Sequence, residues 1–178
     1  MVDKNVNKTK EMVYAALFLA LALLLPFLTA NNRELGNIIC IMHFPIFLAA
    51  YLIDYRYSMM VGFIAPLLRS FIFGMPQMIP TAISMAFELL TYACVCGILY
   101  RAFKKKVWGI YISLLVSMVV GRVVSGIVKA IIMGANGSKL TFDVFFATNV
   151  IKTLPGIGLQ IIIIPLLVMT LRKAKFTK

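Results

Sequence analysis

Long apolar runs broken by short basic segments leave this 178-residue chain few ways to fold. A backbone in lipid must satisfy its own hydrogen bonds, so runs of this length predict membrane helices. Charged residues make up 13% of the chain against 62% in the hydrophobic class, well short of the charge of a soluble domain, so the bilayer is the solvent. The mean hydropathy of +0.96 agrees.

The runs predict six transmembrane helices, at 12–28, 38–53, 57–73, 79–100, 107–133 and 142–171, in an all-α integral membrane protein formed as a single domain over 1–178. The second run is short for a straight span, so its beginning, with His43 and Pro45, is expected to be irregular and packed under a loop. Pro26 lies near the outer end of the first run, and Pro155 and Pro165 predict a kinked sixth. The basic N-terminus followed by an apolar run resembles a signal peptide, but no small-x-small segment closes it, and a retained helix is expected.

A net charge of +12 could suggest nucleic acid, but the basic residues sit mainly between apolar runs, and anionic lipid headgroups are the expected counter-charge. The inner segments hold Lys4, Lys8, Lys10, Arg56, Arg101, Lys104, Lys105, Lys106, Arg172, Lys173, Lys175 and Lys178, and the outer loops only Arg33 and Lys139. That asymmetry puts both termini in the cytoplasm.

Four basic residues remain inside the runs, Arg69, Arg122, Lys129 and Lys152, with one carboxylate, Glu88, on the fourth. A charge at the centre of a span costs about 2.5 to 3.5 kcal/mol on insertion scales and needs protein or water beside it. From the helical rise, Arg69 lies about 6 Å below the outer end of its span, Glu88 about 14 Å and Arg122 about 17 Å. Asn149 and Lys152 share a face of the sixth run. These groups gather in the outer half, while the inner halves are apolar apart from a few hydroxyls. A pocket open to the exterior follows, lined by Arg69, Glu88, Arg122, Lys129, Asn149 and Lys152. His43 is either a ligand-pocket group or a satisfied structural histidine. Glu88 and Arg122 are either ligand contacts or an internal staple. With one carboxylate for several cations, the pocket favours a solute bearing a carboxylate or several acceptors.

No Walker loop, HExxH pair or cysteine-histidine cluster appears, and the single histidine has no evident nucleophile beside it, so neither an enzyme nor a bound metal or cofactor is expected. Cys40, Cys94 and Cys96 read as small buried hydrophobes. The tripeptide Asn136-Gly137-Ser138 matches a glycosylation acceptor too short to carry weight.

Four segments together carry a family resemblance: ALFLA at 16 to 20, MHFP at 42 to 45, PLLRSFIFGMP at 66 to 76 and AFELLTY at 86 to 92. With them the chain resembles the substrate-specific membrane subunit, the S component, of an energy-coupling factor vitamin transporter. The resemblance implies a multi-pass protein of a bacterial plasma membrane that captures a water-soluble B-type vitamin or precursor. It implies docking of a transmembrane coupling subunit on Ala16 and Ala20, and two ABC ATPase subunits that bind the ATP and Mg. Pantothenate suits the excess positive charge; pyridoxine and hydroxymethylpyrimidine are close rivals. A membrane assembly protein without a solute and a solitary secondary carrier are the competing readings.

Overall fold

A computed structural model of the chain describes residues 2–29, 40–104, 106–135 and 153–173. The loop around Arg33, Lys105, the tripeptide at 136–138, Asn149, Lys152 and the tail from 174 lie outside the described residues. Every regular element among those described is helical: α1 (Val2–Leu24), α2 (His43–Leu52), α3 (Tyr55–Phe73), α4 (Ile83–Ala102), α5 (Val107–Ala135) and α6 (Leu154–Lys173).

The breaks follow local chemistry. Pro26 has no N–H to continue the ladder, and α1 tightens into a 3-10 turn over Leu25–Thr29. Helix α3 ends at Gly74, whose φ of 67° a Cβ would disfavour and whose N–H caps Ser70 O at 3.0 Å. Helix α4 is preceded by a π-type turn over Met78–Ala82, within which Ile79 is extended, so the helix proper begins four residues later than the run at 79 suggests. Pro155 sits in the first turn of α6, where its missing donor costs nothing. Positions 142–152 of the expected sixth run lie outside the described residues, and Pro165 is the proline inside α6.

Among the described residues there are six α-helices. Four, at Lys8–Phe27, Met78–Ala102, Val107–Ala135 and Leu154–Lys173, are long and apolar enough to cross a membrane. Helix α3 has the length but is diluted by Arg56 and Arg69. Helix α2 has 10 residues, about 15 Å of rise and half the hydrocarbon thickness.

That short helix is the core. Eight of its residues are buried, and it packs against α1, α3, α4 and α6. Its C-terminal end is anchored among charges: Asp54 N–H donates to Glu11 Oε2 at 2.7 Å, and Arg101 donates to the Ile53 carbonyl at 2.9 Å. Its N-terminal end, with His43, lies about 15 Å along the helix from those charges.

Glycines permit two close helix approaches beside Glu88 and Tyr92. A Cβ on Gly62 of α3 would stand 2.8 Å from the Leu89 carbonyl oxygen of α4, and one on Gly121 of α5 would collide with the Tyr92 ring. Backbones this near align α4 between its neighbours and determine where Glu88 and Tyr92 point.

Candidate functional site

Two pairs of residues, each four apart, face one another where α2 meets α4. A spacing of four puts His43 and Phe47 on one side of α2, and Glu88 and Tyr92 on one side of α4. The Tyr92 hydroxyl donates to Glu88 Oε1 at 2.5 Å, and His43 Nε2 stands 3.9 Å from the same oxygen. The Tyr92 ring stacks on Phe47 with centroids 5.0 Å apart, and lies tilted to the imidazole at 5.6 Å. Below the carboxylate the site is thus closed by two aromatic rings.

Helices α5 and α6 complete the enclosure. Arg122, the residue after Gly121, donates from Nη1 to Thr153 Oγ1 at 2.8 Å and lies within electrostatic reach of Glu88, Tyr92 and Cys40. Gln160, only 1% exposed, donates to the Cys40 carbonyl at 3.4 Å. That carbonyl also accepts from the His43 N–H at 2.9 Å, so the turn entering α2 is held by its own backbone and by α6. Cys40 adopts a left-handed φ of 51°, uncommon for a residue with a Cβ.

One buried polar atom is left over. His43 is 4% exposed, and among the described residues its Nδ1 has no hydrogen-bond partner. An unpaired buried polar group costs about 1 to 3 kcal/mol, so an atom like this calls for an occupant.

His43, Glu88 and Arg122 are therefore brought together. Lys129 is half-buried on α5, two turns beyond Arg122 on the same side. Arg69 turns elsewhere. It is 5% exposed, donates to the Leu23 carbonyl at 2.7 Å, and lies against the Phe27 and Phe73 rings at 5.2 and 5.6 Å. Leu23 belongs to the last turn of α1, where carbonyls lack helical partners and a cation is favourable. Arg69 thus fastens α1 to α3. Arg69→Ala is expected to cost about 2 to 4 kcal/mol, from one charge-assisted hydrogen bond and two ring contacts, and to show as a lowered melting temperature. Solute affinity lost at unchanged stability would instead place Arg69 at the site.

Tyr92, Phe47, Thr153 and Gln160 were not singled out together by the sequence. Tyr92 is four residues from Glu88, and Gln160 is an amide inside an apolar run; those were the available signals. Ala16 and Ala20 are both exposed on α1, beside exposed Leu17 and Leu21, while Ala22 is fully buried.

The half nearer the chain termini holds more polarity than a few isolated hydroxyls. Tyr51 donates to the Ile110 carbonyl at 2.8 Å and pairs with Ser113 Oγ at 3.0 Å, beside fully buried Cys96. Tyr100 stands edge-on to Tyr51 and is met by Arg172. The Tyr51 and Ser113 hydroxyls are satisfied by one another and by backbone. Cys40, Cys94 and Cys96 are free thiols, and among the described residues no three His, Cys, Asp or Glu side chains group as metal ligands.

The family model described as ECF transporter, substrate-specific component, matches residues 10–168. The chain belongs to this family. No curated protein and no solved structure matches it. As an ECF substrate-specific component it is a multi-pass membrane protein whose general role is to bind a transported solute.

Proposed function

We propose that this S component captures a water-soluble B-type vitamin or precursor from outside the cell, in the enclosure between α2, α4, α5 and α6, for ATP-driven uptake. The observation that carries the reading is the unpartnered Nδ1 of His43, buried beside an ionisable carboxylate. Irregular backbone such as the turn at Cys40 is tolerated within a membrane only where it is buried in protein or lines a cavity. Arg122 supplies the positive end, with Lys129, Asn149 and Lys152 as the remaining solute-facing groups. Pantothenate fits a cation opposed to acceptors slightly better than pyridoxine or hydroxymethylpyrimidine.

Both termini face the cytoplasm in this reading, by the distribution of basic residues between the runs. The exposed Ala16 and Ala20 let a coupling membrane subunit approach α1 closely, and two ABC ATPases bring the ATP and Mg. Ala20→Trp is expected to abolish uptake in vesicles containing the whole complex while leaving solute binding by the isolated subunit intact. Uptake that survives this bulk would move the docking surface off α1.

A binding screen of the purified chain against water-soluble vitamins tests the function itself. Tight binding of one of them is expected. A protein that binds none, and purifies without any small molecule, would be an assembly protein.

A further inference from the structure

The site is chemically two-ended. Tyr92 and His43 both address Oε1 of Glu88, which leaves Oε2 as an acceptor. A ring nitrogen that faces a carboxylate carries the hydrogen, so in the neutral imidazole the hydrogen is on Nε2 and Nδ1 offers a lone pair. With the imidazole neutral, His43 Nδ1 and Glu88 Oε2 form an acceptor pair at the end closed by Tyr92 and Phe47. Arg122, which can only donate, forms the other end together with the Thr153 hydroxyl.

We propose that the solute enters with a hydrogen-bond-donor end first, an amine, ring N–H or pair of hydroxyls that satisfies His43 Nδ1 and Glu88 Oε2, while its acceptor or anionic end rests against Arg122. This rests on the solute-binding reading above and narrows it to a class: small polar molecules with donors at one end and an acceptor or carboxylate at the other. A solute anionic at both ends is rejected, because Glu88 would repel it. A solute whose leading end is purely apolar is rejected as well, because two buried acceptors would stay unpaired.

The test compares each parent vitamin with an analogue from which the donor has been deleted, so that no bulk is added. Pantothenate is titrated beside its dideoxy analogue, and hydroxymethylpyrimidine beside its desamino analogue, on the purified full-length chain in lipid nanodiscs. Whichever parent binds, the deleted form is expected to bind about tenfold to a hundredfold more weakly, the range for one unpaired buried acceptor. That gap is expected to collapse toward unity in His43→Phe, which keeps a ring of similar size. If the variant does not fold, the comparison on the unaltered protein decides alone. A parent and its deleted analogue that bind equally would overturn the donor-first orientation and leave the capture function standing. Failure of every water-soluble vitamin in the screen to bind would overturn both.

Discussion

Replacing Glu88 by Ala is expected to weaken solute binding by about a hundredfold or more. Three neighbours lose a partner at once: the Tyr92 hydroxyl, the His43 Nε2 and the electrostatic complement of Arg122. Leaving a buried polar group without its partner costs about 1 to 3 kcal/mol for each group, and each 1.4 kcal/mol is tenfold in affinity. Part of that cost appears as lower stability of the empty protein, because the Tyr92 hydroxyl and the His43 Nε2 lose their partner there too. Glu88→Gln keeps the shape and an acceptor oxygen, and is expected to fall between wild type and Glu88→Ala. Equilibrium titration with the vitamin found in the screen, beside a thermal melt of each variant, separates the two effects. An affinity unchanged in Glu88→Ala would put the solute somewhere else.

The second large effect is expected at a residue with no side chain. A methyl on Gly121 would collide with two carbons of the Tyr92 ring and come within 3.2 Å of the Glu88 carbonyl oxygen. The ring has little room to retreat, because its other face is stacked on Phe47. Overpacking of this kind costs about 1 to 3 kcal/mol, and here it also drags the hydroxyl off Glu88. Gly121→Ala is expected to lower the melting temperature and weaken solute binding together. Adding Tyr92→Leu makes room for the methyl but restores no hydroxyl, so stability is expected to recover and affinity is not. Recovery of both would mean that Tyr92 fills space and does not position Glu88.

How far these features could be read from the chain depended on how far apart their partners lie. Pro26 ends α1 and Gly74 caps α3 through chemistry within a few residues, and both are legible as punctuation. The run at 38–53, counted among the spans, is legible as short for a straight one, and α2 is a 10-residue helix. The exposed Ala16 and Ala20 and buried Ala22 follow from helical spacing alone.

Arg69 shows the opposite limit. Depth along a helix axis gives a height and no direction round the helix, so counting residues grouped Arg69 with Glu88. The carbonyl that Arg69 meets belongs to Leu23, 46 positions earlier in the chain, and only the crossing of α1 over α3 brings the two together. Gln160 and Cys40 are separated by 120 positions, and their contact depends on α6 returning to the entrance of α2. Charge is conspicuous in an apolar run, whereas an amide, a tyrosine or a backbone carbonyl is not, and half of the site is made of such groups.

The most direct measurement is a structure of the purified protein with its solute bound. A donor atom of the solute about 3 Å from Nδ1 of His43, with Glu88 and Arg122 lining the same enclosure, is the predicted result. A solute bound elsewhere, or Nδ1 satisfied by the protein itself with nothing enclosed beside it, would contradict the account.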